Sequence, residues 1–250
     1  MLSELIDQVR AYVFPDYFDY SETRLRPVLS GLTTARTETS AGSESGEVPC
    51  PAADLAERFM QRLPEIARLL HTDVEAVSAN DPAAANSAEV VLCYPAVEVM
   101  LHYRTAHELL GLGVPVIPRM LTEIAHSTTG IDIHPAARIG EYFAIDHGTG
   151  IVIGETTVIG NHVMLYQGVT LGAKNFRYDE LGRPVNAPRH PVIEDNVTIY
   201  SNTSVLGRVT IGHDTVVGGN VWLTHDVPPH SRIIQGRAIS HTGFTDGAGI

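Results

Sequence analysis

The spacing of aliphatic residues changes character once along the chain, at Gly130. Before it the spacing is helical. Residues 1–14 mix apolar and polar positions as an amphipathic helix does. Residues 52–77 repeat that spacing, with a break near Pro64. Asp81-Pro82 reads as a helix start, Asp as N-cap and Pro in the first turn. Another helical run opens at Pro95 and ends near Gly111–Gly113, and a last one covers 116–127. Between the first two helical stretches, residues 33–50 (TTARTETSAGSESGEVPC) have too little apolar surface to offset their ordering entropy, and read as a flexible linker.

After Gly130 the aliphatic residues fall six apart. One phase holds Ile133, Ile139, Ile145 and Ile151. A second holds Ile153, Ile159, Leu165 and Leu171. A third holds Ile193, Ile199, Val205, Ile211, Val217 and Leu223. A small or β-branched residue follows most of these anchors four positions on, as at Ala137, Thr157, Val163, Thr203 and Thr215. A period of six fits neither an α-helix nor a single flat strand. It fits a parallel β-helix whose triangular coils each use three short strands, stacked so that neighbours bury what one coil alone leaves exposed. The repeat is broken twice. The phase slips by two residues between Ile151 and Ile153, and residues 173–192 carry no repeat and must loop out. The segments expected are therefore 1–32 helical, 33–50 linker, 51–130 helical, 131–235 β-helix and 236–250 tail.

Charge and cysteine content narrow the function. The net charge of −12 argues against nucleic acid and anionic membranes as partners. Acids outnumber bases 18 to 9 in residues 1–130 but only 11 to 8 in 131–250, so an anionic ligand belongs with the repeat. Lys174, the only lysine, shares the long loop with Arg177, Arg183 and Arg189. Cys50 and Cys93 form no framework or zinc motif, no segment reads as a signal peptide or membrane span, and a cytoplasmic location is expected.

Histidines cluster at the breaks in the repeat. His147 follows Asp146 at the phase slip, and Asp132 precedes it by fifteen residues; with about eighteen residues to a coil, the two are expected on adjacent coils, close enough to meet side by side. A carboxylate holding an imidazole makes a general base that works near neutrality. Arg189-His190 closes the long loop and pairs a carboxylate-binding fork with a second imidazole. None of His134, His147, His162 and His190 forms an HxH or HxxxH pair, so no metal site is expected.

Five stretches together, DPAA (81–84), DIHPAARIG (132–140), DHGTGIVIGET (146–156), GVTLG (168–172) and RHPVI (189–193), resemble the serine acetyltransferases, a family of hexapeptide-repeat acyltransferases. The resemblance implies an α+β fold, an N-terminal helical region followed by a left-handed parallel β-helix with one long extruded loop. It implies acetyl transfer from acetyl-CoA, as co-substrate with no resident cofactor, to the L-serine hydroxyl. His147 resembles the general base, Asp132 the carboxylate orienting it, and His190 a contact to the reacting hydroxyl. Asp81 and Asp146 resemble the acids that hold the serine ammonium, and Arg189 the partner of its carboxylate. Glu155 falls in the Gly-Glu-Thr motif. Gly172, Lys174, Ser201, Asn202, Gly218 and Gly219 match acetyl-CoA positions, although Ser201 and Asn202 stand where the family has Ala or Gly. The resemblance further implies a trimer or hexamer, L-cysteine as feedback inhibitor, and O-acetylserine sulfhydrylase as a partner gripping the C-terminal Ile250. The alternatives from the residues alone are an acetyltransferase for another hydroxyl acceptor, such as a sugar, a β-helix zinc carbonic anhydrase, and a non-catalytic partner acting through its tail.

Overall fold

The computed structural model describes residues 1–39, 52–176, 178–183 and 185–236. Among the described residues seven helices come first: α1 (Leu2–Val13), α2 (Glu22–Thr39), α3 (Ala52–Met60), α4 (Leu63–Asn80), α5 (Ser87–Cys93), α6 (Pro95–Gly111) and α7 (Ile117–Thr129). Pro64 sits in the first turn of α4 and Pro95 in that of α6, where the missing N–H costs nothing. Helix α6 is buried on nearly all sides, through Val97, Met100, Leu101, Tyr103, Arg104 and Leu109. Helices α1 and α4 pack on it, so residues 1–32 belong to the same helical layer as the helices after residue 51. Helix α2 runs to Thr39, so the 33–50 stretch opens as helix, and its remainder lies outside the described residues. Asp81 does not start a helix. It ends α4, and α5 begins at Ser87 behind the N-cap Asn86, whose side chain accepts from Glu89 N. Among the described residues, no helix is long and apolar enough to cross a membrane.

Fourteen short strands follow among the described residues. The first coil carries β1 (Asp132–Ile133), β2 (Arg138–Ile139) and β3 (Ala144–Asp146), and the second β4 (Val152–Ile153), β5 (Val158–Ile159) and β6 (Met164–Tyr166). The third carries β7 (Thr170–Gly172), β8 (Val192–Ile193) and β9 (Thr198–Ile199). The fourth carries β10 (Ser204–Leu206), β11 (Thr210–Ile211) and β12 (Val216–Val217), and the last β13 (Trp222–Leu223) and β14 (Arg232–Ile233). Every third strand pairs in parallel, giving a left-handed β-helix with three faces: A (β1-β4-β7-β10-β13), B (β2-β5-β8-β11) and C (β3-β6-β9-β12-β14).

The six-residue anchors become three inward ladders. On face A, Ile133, Ile153, Leu171, Val205 and Leu223 stand in register, and all are buried. On face C the ladder is Ile145, Leu165, Ile199, Val217 and Ile233. Each fully buried anchor contributes about 1.5–3 kcal/mol relative to exposure. Between the anchors, buried Ala137, Thr157, Val163, Thr203 and Thr215 let the chain turn without clashing.

The first coil has no coil above it, and the helices supply the missing partners. Tyr103 Oη donates to Ala137 O (2.6 Å), Arg104 Nη2 to Gly140 O (2.8 Å), and His107 Nδ1 to Pro135 O (2.8 Å). Arg104 is held in turn by buried Asp73, through Nε (2.6 Å) and Nη2 (2.8 Å), and Asp73 also accepts from Phe143 N (3.2 Å). Removing one partner strands the other charge in the core. Asp73→Ala is expected to lower unfolding stability by about 3–5 kcal/mol, and Asp73→Asn to lower it less. Urea titration of both variants checks this, and an unchanged midpoint for Asp73→Ala refutes the capping role.

Candidate active site

The prism has three corners, and chemistry concentrates on two. At the corner from face C to face A, the anchor-to-anchor distance is six residues for Leu165–Leu171, Ile199–Val205 and Val217–Leu223, but eight for Ile145–Ile153. The two extra residues lie in the turn 147–150, while Ile151 is fully buried beneath it rather than serving as a face anchor. Other coils turn this corner with one left-handed residue, Gly168, Asn202 or Asn220. Here there are three: His147 (φ 57°), Gly148 (φ 84°) and Gly150 (φ 82°). A β-carbon on Gly148 would lie 2.5 Å from Ile131 Cδ1, so this turn needs glycine for space as well as for φ. The result is a histidine lifted off the corner, its side chain 73% exposed.

Acids surround it. His147 Nε2 lies 3.7 Å from Asp146 Oδ1. Asp81 accepts from Tyr94 Oη (2.6 Å) and Ala83 N (2.8 Å), which hold its carboxyl below the ordinary range, with His147 adding to the effect. The same hydrogen bond pushes the Tyr94 hydroxyl up to about 12. Tyr166, in register with Asp146, stacks on Tyr200 with ring centres 4.7 Å apart and extends the wall. Asp132 begins face A on the coil above this turn, where Gly150 N donates to Gly130 O. Its carboxylate, however, turns to α7 and Arg119 Nη1 (3.6 Å).

The second cluster occupies the corner from face A to face B, where the long loop leaves after Gly172 and returns at Val192. Here the Gly-Glu-Thr motif receives Arg189-His190. Glu155 pairs with Arg189 Nη2. Thr156 Oγ1 accepts from Arg189 N (2.9 Å) and His190 N (3.1 Å), and Thr156 N donates to His190 Nδ1 (3.0 Å). A β-carbon on Gly154 would lie 2.1 Å from His190 Cδ2, so the glycine makes the ring's seat. Arg208 Nη1 ties Thr156 O (2.8 Å) to His190 O (3.0 Å). Because Nδ1 accepts, the proton of His190 belongs on Nε2, making the ring a donor. Burial, reinforced by Arg189, lowers the His190 pKa to about 4. Beside this cluster is a groove of about 310 Å³ lined by Lys174, Arg189, Gly207 and Arg208. Arg183 is neutralised by Asp179 (2.9 Å), and Arg177 lies outside the described residues.

The two clusters are separated within one chain by the width of a face, roughly 15 Å at a strand's rise per residue. The remaining site positions divide in the same way. Gly172 and Lys174 lie at the A/B corner, while Ser201, Asn202, Gly218 and Gly219 lie at the C/A corner below His147. Among the described residues, none of His134, His147, His162 and His190 belongs to a three-ligand group. Ile250 lies outside the described residues. Sequence spacing missed Tyr94, Gly154, Thr156 and Arg208. Gly154 and Thr156 were visible as Gly-Glu-Thr, but their receptor role needs the loop's return path. Tyr94 and Arg208 gave no signal.

The coils and their equipped corners define a hexapeptide-repeat transferase. The family model described as bacterial transferase hexapeptide (six repeats) matches residues 190–225. A plasmid serine acetyltransferase of Synechococcus elongatus is 52% identical over 200 residues, covering 80% of this chain and 62% of its own length. Among solved structures, serine acetyltransferase isoform 3 of Entamoeba histolytica, in complex with cysteine, is 32% identical. It superposes with a TM-score of 0.79 over 98% of this chain and 85% of its own. The Neisseria gonorrhoeae serine acetyltransferase in complex with serine is 26% identical, with a TM-score of 0.65 over 96% of both chains. The chain belongs to the serine acetyltransferase family.

The low His190 pKa has a pH consequence with a definite sign. Above pH 6.5 both folded and unfolded chains keep this ring neutral. Between 6.5 and about 4 only the unfolded chain takes the proton, so the ring's contribution to stability falls as pH falls. Histidine-selective NMR is expected to show His190 titrating near pH 4. A midpoint near the ordinary histidine value contradicts the buried-donor geometry.

Proposed function

We propose that this chain transfers the acetyl group of acetyl-CoA to the hydroxyl of L-serine at a site shared by two chains. The observation that carries the reading is the split of complementary groups over two corners. One offers a base among acids, and the other a guanidinium with a neutral imidazole donor. A zwitterionic amino acid needs both. Its ammonium suits Asp81 and Asp146, its carboxylate the Nη1 of Arg189, and its hydroxyl the space between His147 and His190 Nε2. In a ring of copies about a threefold axis, the C/A corner of one chain meets the A/B corner of the next. Glu155 then positions Arg189, and Thr156 with Gly154 positions His190.

The chemistry follows. His147 takes the serine hydroxyl proton as the oxygen adds to the thioester carbonyl. Asp146, and Asp132 once it turns from Arg119, stabilise the imidazolium. The tetrahedral intermediate collapses, the carbon–sulfur bond breaks, and His147 returns the proton to the thiolate, giving O-acetylserine and CoA. No acyl-enzyme and no resident cofactor are required. Lys174 and Arg208 face the groove that suits CoA phosphates. Gly172, Ser201, Asn202, Gly218 and Gly219 line the path of its pantetheine. L-Cysteine, which differs from serine at one atom, fits the same charges as a feedback inhibitor. A tail ending in Ile250 is proposed to dock into O-acetylserine sulfhydrylase, and a cytoplasmic location suits the acetyl-CoA supply.

Thiol release from acetyl-CoA tests the reading. L-Serine is expected to drive release while threonine, homoserine and simple sugars do not. His147→Ala is expected to lower kcat by about 10²–10⁴. Release driven by a sugar instead sinks the serine assignment and keeps the scaffold. The shared site has its own test. Mixing His147→Ala chains with Arg189→Ala chains, each inactive alone, should restore about a quarter of the wild-type sites after subunit exchange. No recovery in demonstrably mixed oligomers means that one chain holds the whole site.

A further inference from the structure

The third corner of the prism, between faces B and C, carries side chains with no part in acetyl transfer. His213 and Asp214 turn it in the fourth coil, and His230 turns it in the fifth. Seventeen residues separate the two histidines, a spacing that matches no local metal motif. Coil stacking brings them together: His230 N donates to His213 O at 2.9 Å. Asp214 (φ 55°) and His230 (φ 57°) occupy the left-handed position of successive turns and so stack along the corner.

The donor atoms converge. Asp214 Oδ2 lies 2.7 Å from His213 Nδ1 and 3.6 Å from His230 Nδ1. One donor atom from each of the three side chains lies within 4.8 Å of the others. The imidazole planes cross at 88°, with ring centres 4.8 Å apart. Neighbours hold the frame: Asn196 Nδ2 donates to Asp214 Oδ1 (3.1 Å), and Glu194 Oε2 accepts from His213 N (2.8 Å). Donors bound to one tetrahedral zinc-class ion stand about 3.3 Å apart. The His230–Asp214 separation is already close to that. The shorter pair, at 2.7 Å, has to open by about 0.6 Å for both atoms to bind one ion.

We infer that His213, Asp214 and His230 bind one divalent transition-metal ion per chain, of the zinc class, with an open position toward solvent. Two imidazoles and one carboxylate suit zinc or nickel, and not magnesium or calcium, which take oxygen donors. The other acid–histidine group among the described residues, Glu123, His126 and Asp132, already holds the Arg119 guanidinium and has no need of an ion. The ion ties the fourth coil to the fifth. Among the described residues the fifth coil is the last, and β14 is an edge strand. Its role is therefore to fasten the end of the solenoid.

The test uses untagged full-length protein in its native assembly, stripped with chelator and titrated with Zn²⁺ by calorimetry, with Mg²⁺ as competitor. One Zn²⁺ per chain is expected, undisturbed by Mg²⁺. His230→Asn keeps a residue that tolerates the left-handed turn, and is expected to weaken binding at least about tenfold. Asp214→Asn should do the same, while His147→Ala should leave this ion in place. Hydrogen exchange in residues 226–236 should slow when Zn²⁺ binds wild type, and not in His230→Asn. Absence of Zn²⁺ binding at micromolar concentration, or binding unchanged in His230→Asn and lost in His147→Ala, overturns the site. Neither readout involves acetyl transfer.

Discussion

A stack of parallel coils satisfies its peptide groups by leaning each coil on the next, so the end coil always has groups with nothing to lean on. In this chain the opening edge is closed by side chains. Tyr103, Arg104 and His107 lie on one helix, at positions three and four apart that share one face, and they meet carbonyls at three points of the first coil. A guanidinium brought into the core needs a counter-charge, and Asp73 of a second helix supplies it while also taking the Phe143 N–H. The buried pair thus joins two helices to the β-helix. It also fixes the helical layer over the His147 corner, where Asp81 and Tyr94 reach down from it.

That placement explains the division of chemistry. The helical layer contributes an acid, Asp81, and a phenol, Tyr94, to one corner only. The other equipped corner is furnished by the long loop returning onto Gly-Glu-Thr. Each half is incompletely charged: acids with one imidazole on one side, a guanidinium with a neutral imidazole on the other. The proposed two-chain site rests on the electrostatic complementarity of these halves.

The sequence carried the fold well because the dominant constraint is periodic. Anchors six apart predict three inward ladders, and the register confirms them at Ile133–Ile153 and Ile145–Leu165. It was misleading at Asp81-Pro82, whose cap chemistry serves a turn and a tyrosine rather than a helix. Residues carried by a local motif, such as Glu155 or His147, were visible in the sequence as candidates. Those defined by stacking were not. Arg208 reaches His190 from the next coil, and His213 meets His230 only because both turn the same corner. Separation in sequence loses its meaning for side chains arranged along a prism edge.

The two-residue insertion at 147–150 and the loop that begins at 173 share a property: both lengthen a corner and leave the faces untouched. A face cannot grow by one residue without turning its inward ladder to solvent, whereas a corner can extend outward at no cost to the core. The span between equipped corners is therefore a fixed gauge, set by strand rise. A new specificity on this scaffold can change what hangs from the corners, while the width of the faces between them stays fixed.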